Sequence, residues 1–178
     1  MTSLPKSWRI LGVVACAALT GCGIGGSPAA TRVVSAAPGS VISATPDRSA
    51  CRLLKQVQVR EVLGVPVGLA TPGALGGCVF TINAGAGTVG VGVTSFAADA
   101  QAQAFVSGNS QAPDGCQCRI LKIPGLGQDA VEFVGNTVGT TVYAQFGLKV
   151  LTVGIGWSPA AENPGMAVAL ARDAARHL

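Results

Sequence analysis

The chain has 178 residues, 49% of them hydrophobic and only 11% charged, which excludes a disordered polymer, because disordered chains are polar and charged. Its formal charge is +4. Lys6 and Arg9 supply half of that, so the body of the chain is nearly neutral and shows no basic cluster of the kind nucleic-acid binding requires.

Residues 1–9 (MTSLPKSWR) hold two cations and no acid, and residues 10–20 (ILGVVACAALT) are almost wholly apolar. This is the order of an export signal. The apolar run is shorter than the ~20 residues that cross a bilayer. It ends in Leu19-Thr20-Gly21-Cys22, which resembles the bacterial lipobox: an aliphatic residue three before a cysteine, with small residues between. The resemblance implies a diacylglycerol on the Cys22 thiol and cleavage just before it. The expectation is a signal peptide over 1–21 and a lipid-anchored protein on the extracytoplasmic face of the cell membrane. The competing reading is an ordinary secretory signal with an incidental cysteine. Residues 22–50 then comprise the lipidated cysteine and a Gly/Ser/Ala/Pro-rich tether with no persistent period. A single domain is expected over 51–178.

Cys16 would leave with the signal and Cys22 would carry lipid. Cys51, Cys78, Cys116 and Cys118 remain, an even number in an exported domain, which points to disulfides. Three pairings are possible. Cys51–Cys78, stapling the first helix to the first strand, is favoured. Cys116–Cys118 would then close a tight ring, and a crossed arrangement stays open. A C-x-C in a strand lacks the spacing of redox motifs, and a lone histidine gives zinc too few ligands.

Within the domain, Val59, Val62 and Leu63 at helical spacing, followed by Gly64, predict a helix over 53–63. Residues 65–77 read as a loop. Strands are predicted at 78–84 and 88–95, joined by Gly85-Ala86-Gly87. Ser95 is a candidate cap for a helix over 97–107. Four strands follow, at 116–123, 131–134, 137–145 and 150–157. Asn163-Pro164 opens a last helix whose stripe is Ala167, Leu170, Ala171, Ala174 and Leu178. Short links make the sheet antiparallel. The predicted fold is α+β: a two-layer domain with a mostly antiparallel sheet of about five to six strands and two to three helices on one face.

Several of these pieces resemble an actinobacterial lipoprotein family known as domain of unknown function thirty-five fifty-eight. They are Cys51-Arg-Leu-Leu with Glu61-Val-Leu-Gly, Gly76-Gly-Cys-Val-Phe, the Pro124–Ala130 element Pro-Gly-Leu-Gly-Gln-Asp-Ala, and the Ala-rich C-terminal helix. The match covers nearly all of 51–178 through short motifs. It departs from the family where the first helix lacks a Thr-Pro or Asp-Pro start and where the Cys116/Cys118 pair is extra. The resemblance implies an envelope lipoprotein with an N-terminal disulfide. It brings no catalytic residues.

Two motifs mimic enzymes. Gly125-Leu-Gly-Gln-Asp-Ala130 fits G-x-G-x-x-A, but a strand follows where a dinucleotide site needs a helix. Gly156-Trp-Ser158-Pro-Ala160 is one residue off a nucleophile elbow. Its base would be His177, four residues after Asp173. Asp114, Asp129, Glu132 and Glu162 are scattered, and Asp129 is expected to bond local backbone. Trp157 and Tyr143 read as core or sheet-face residues.

The function expected is therefore a non-enzymatic envelope module, with no cofactor and no metal. Its expected partners are the membrane, through the anchor, and an envelope protein or lipid. The alternative is a carrier or sensor in which Gly90, Gly92, Gly154 and Gly156 leave room for an apolar ligand between helix and sheet. A serine esterase is the remote third.

Overall fold

The structure is a computed structural model that describes residues 44–73, 76–111, 118–135, 139–157 and 164–178. Eight strands form one antiparallel sheet: β1 (Ala44–Pro46), β2 (Thr71–Pro72), β3 (Cys78–Ile82), β4 (Gly87–Phe96), β5 (Cys118–Lys122), β6 (Ala130–Gly135), β7 (Gly139–Phe146) and β8 (Lys149–Gly156). Their order is β2-β3-β4-β8-β7-β6-β5, with β1 also on β4. The helices are α1 (Gln56–Leu63), α2 (Asp99–Asn109) and α3 (Met166–Ala175). The expected α+β class and antiparallel sheet are present, with more strands than the five to six expected.

The extra strands lie where the sequence looks least like sheet. Residues 44–50, expected in the tether, belong to the domain. Ala44 pairs with Phe96 and Pro46 with Thr94, and Ala50 is fully buried. Asp47 accepts the Ser49 N–H and caps a 3-10 turn over Arg48–Arg52. That bond, with Lys149 as a lesser influence, holds its carboxyl below the usual range. Because β1 extends the ladder to Phe96, Ser95 is a strand residue and not the cap of α2, which starts at Asp99. The predicted helix 53–63 is shorter. Leu53 and Leu54 plug the core in a non-helical link, and α1 begins after an extended Lys55. It ends as predicted at Gly64, whose left-handed φ of 68° lets its N–H reach the Arg60 carbonyl.

Strand alternation puts two different surfaces on the two faces of the sheet. On one face, Cys78, Val91, Val153 and Val142 line up across β3, β4, β8 and β7. All are at most 2% exposed, and they pack with Ala167, Leu170, Ala171 and Ala174 of α3 and Val59 of α1. Leu178, expected in that stripe, falls beyond the helix and is 36% exposed. The other face carries α2 at one end only. There Ala102, Phe105 and Val106 meet Phe96, Val131, Tyr143 and Val150, with Phe105 tilted on Phe96 and edge-on to Tyr143. Two helices, α1 and α3, thus share one face as expected, and α2 is the one that sits across the sheet. The even-numbered Phe96 and Val150, opposite in phase to Val93 and Leu151, give α2 its own apolar seat across the sheet.

Candidate functional site

The four cysteines of the domain separate into one described pair and a remainder. Cys51 and Cys78 are disulfide-bonded, with Cα atoms 4.8 Å apart. The bond ties the 3-10 turn preceding α1 to the first residue of β3. It therefore staples a turn to the strand rather than the first helix. Cys118 is also disulfide-bonded, to a cysteine outside the described residues. Cys22, Cys116, Asp114, Ser158, Glu162 and Asn163 all lie outside the described residues.

Of the two enzyme-like motifs, the glycine motif is a turn between strands. Gly125 and Gly127, at φ 72° and 65°, form the tight link between β5 and β6, and no helix follows. The Cβ of any other residue at 127 would fall 2.1 Å from the Gln145 carbonyl oxygen. Asp129 contributes its backbone carbonyl to the Gln145 N–H, while the neighbouring Gln128 side chain accepts the Gly147 N–H. Asp173 pairs with Arg176 at 3.2 Å, so its partner is the next cation along the helix rather than His177, which is exposed. Trp157 packs against the core, as expected. Tyr143 is half-buried beneath α2, and burial pushes its phenol above the usual 10.0. Glu132 is buried on the α3 face at 3% exposure. Its Oε1 accepts the Gly165 N–H at 3.0 Å, so a carboxylate closes the N-terminus of α3. Gly165 is itself left-handed, at φ 104°, so α3 starts at Met166 and not at Pro164.

The four glycines proposed to make room for a ligand occupy the α2 face. Gly90 and Gly154 are paired, and the full cross-strand row is Thr71, Val79, Gly90, Gly154, Thr141, Phe133 and Ile120. A Cβ placed on Gly90 would meet nothing within 4 Å. Among the described residues nothing stands over Gly90, while Gly154 and Gly156 lie against Thr141 and Thr88.

No family model, curated protein or solved structure matches the chain.

A second surface lies along the β2 edge of the sheet, and sequence reading passed over it. Residues 66–72 run beside β3 as a broken edge strand. Val67 bridges Ile82, the Gly68 N–H donates to the Thr81 carbonyl, and Thr71 and Pro72 pair with Val79 and Cys78. Leu69, at the break, is 76% exposed. Beside this edge, α1 is held by the Gln56 side-chain amide, which donates to the Val67 carbonyl. A shallow pocket there is lined by Gln56, Val57, Arg60, Pro66 and Val67. The 3-10 turn packs on β2, β3 and β4 at the same edge. These elements carry Arg48, Arg52, Lys55 and Arg60, all exposed. Against them stand Asp47, engaged with Ser49, and Glu61. The signal that would have found this surface is charge distribution. No charged residue occurs between Glu61 and Asp99, so the four cations dominate that end of the domain. Among the described residues no helix is long and apolar enough to cross a membrane.

Proposed function

We propose that this chain is a membrane-anchored lipoprotein of the cell envelope, whose domain is a non-enzymatic interaction module and not a carrier. Membership of the actinobacterial family named above belongs to the same proposal. The observation that carries it is the pairing of two features. A lipobox-like Leu19–Cys22 follows a short apolar run, and the domain behind it is stapled by Cys51–Cys78. Disulfides persist in oxidising compartments, which is where a lipidated Cys22 would place the domain. Two acyl chains hold a protein stably on a bilayer, where one alone is marginal.

The open surfaces favour interaction over carriage. A carrier needs a concave, enclosing site. Among the described residues the space over Gly90 is open rather than enclosed, and the helix–sheet interior on the other face is filled by Leu170, Val142 and Val153.

The test is mass spectrometry of the mature N-terminal peptide, with membrane fractionation of the wild type and Cys22→Ser. The expected result is a diacylglyceryl-modified Cys22 and release or failed processing of Cys22→Ser. An unmodified Cys22, or full membrane retention of Cys22→Ser, overturns the anchoring. A lipid that co-purifies at a defined mass would favour the carrier reading.

A further inference from the structure

We propose that the β2 edge of the domain docks on an anionic membrane surface, with Leu69 entering the headgroup layer and Arg48, Arg52, Lys55 and Arg60 contacting its phosphates. This rests on the anchoring reading above and gives the anchored domain an orientation.

Three observations carry it. The first is charge. Over residues 47–61 four cations face two carboxylates, and over 99–178 five cations face six. Within residues 44–178 the positive excess is thus carried by the elements along one edge. The ion pair Arg176–Asp173 lies elsewhere, on α3, and among the described residues none of the four edge cations forms one. Their charge is available to an external anion. The second is apolar exposure in the same place. Leu69 is 76% exposed and Val57 of α1 is 45% exposed. Exposed cations on the elements beside an exposed leucine are the composition of an interfacial binding face. The third is where the chain enters. Ala44, at the start of β1, lies 22 positions after Cys22, a span of at most ~75 Å of extended chain. Arg48 follows only four residues later. The 3-10 turn with Arg48 and Arg52 therefore follows the anchor closely in sequence, and the anchor holds it at high effective concentration near lipid.

The edge is also unsuited to adding a further strand. Pro66 and Pro72 bracket it, and the break at Leu69 interrupts the ladder. A surface of side chains, not of backbone, is what it offers.

The experiment uses the intact lipoprotein reconstituted in phosphatidylcholine vesicles with or without ~30% phosphatidylglycerol, read by hydrogen exchange. Each Lys or Arg at such a surface changes affinity by roughly fivefold. The amides of residues 66–72 are expected to exchange at least roughly fivefold more slowly on the anionic vesicles. Those of β7 should be unchanged. About 0.5 M salt should erase the difference by screening. So should the triple variant Arg52→Gln, Lys55→Gln, Arg60→Gln, while Leu69→Ser should weaken it alone. Equal exchange on the two vesicle types overturns the proposal. Protection that rises with protein concentration on neutral vesicles assigns the edge to a second copy of the chain and overturns it equally. Mass analysis of the N-terminal peptide in the same sample separates a failure of anchoring from a failure of docking. If Cys22 is unmodified, vesicle binding of that same protein that does not depend on anionic lipid overturns the docking as well.

Discussion

Two surfaces separated by the thickness of one sheet differ in almost every adjacent pair of residues. Toward α3 the central row reads Cys78, Val91, Val153, Val142 and Glu132. One residue away along each strand, on the opposite face, it reads Val79, Gly90, Gly154, Thr141 and Phe133. The first row is closed by two helices and holds the core. The second is covered by α2 at the Phe96 end and, among the described residues, has open space over Gly90. The difference teaches that stability and accessibility have been divided between the faces. Substitutions should therefore have very unequal costs on the two sides.

The largest effect is expected from Leu170→Ala, which empties the centre of the α3 packing at 0% exposure. A loss of about 3 kcal/mol in denaturant unfolding is expected, and a loss under ~1 kcal/mol would break the assignment of the core to this face. Phe105→Ala on α2 should cost about 2 kcal/mol. It removes both ring contacts but leaves the α3 face intact. Near-UV spectra should then show Tyr143 released, with far-UV sheet content unchanged. Gly90→Ala should go the other way. With open space above it and no positive φ, it should gain about 0.5 kcal/mol by stiffening the unfolded chain. A destabilised Gly90→Ala would mean that something covers this face. The smallest effect appears only at alkaline pH. Burial raises the Tyr143 phenol above 10.0, so the folded state keeps its proton to higher pH than the unfolded state. Its contribution is fully present below about 10 and is lost as pH rises through the folded value. Tyr143 is the only tyrosine in the chain, so absorbance titration reports it alone. A midpoint at or below 10 would contradict its placement under α2, and Tyr143→Phe should flatten the alkaline decline.

The parts of the fold legible in the sequence were those with strong local periods. The alternation of β3, β4 and β8, the Gly64 stop of α1, and the Ala167–Ala174 stripe of α3 all appear within a few residues of where they were expected. What escaped were elements whose reason is tertiary. Ala44–Pro46 has no strand pattern and becomes a strand only because β4 overhangs β3 and offers a free ladder at Thr94–Phe96. Thr71–Pro72 is likewise made by β3. The seating of α2 on the far face turns on the parity of Phe96 relative to Val93, which a helix's own sequence does not encode. Of the candidate sites, the Cys51–Cys78 bond was foreseen, although it joins β3 to a 3-10 turn and not to a helix. The basic edge was not, because its cations are spread over thirteen residues and come together only when the turn packs on β2 and β3 and Gln56 of α1 bonds the Val67 carbonyl.

The sheet order also sets a timetable. Val91 finds its partner in Val153, about 60 residues downstream, so as the chain emerges from its N-terminus β4 must wait for β8 while most of the domain is still to come. In that interval the strand GTVGVGVTSF offers one unpaired ladder and carries no charge to discourage partners from other chains. The glycines that leave its open face bare weaken exactly that tendency, since they lower strand propensity and give a second chain little to grip. The bareness that marks the finished surface is thus also a safeguard for the nascent one.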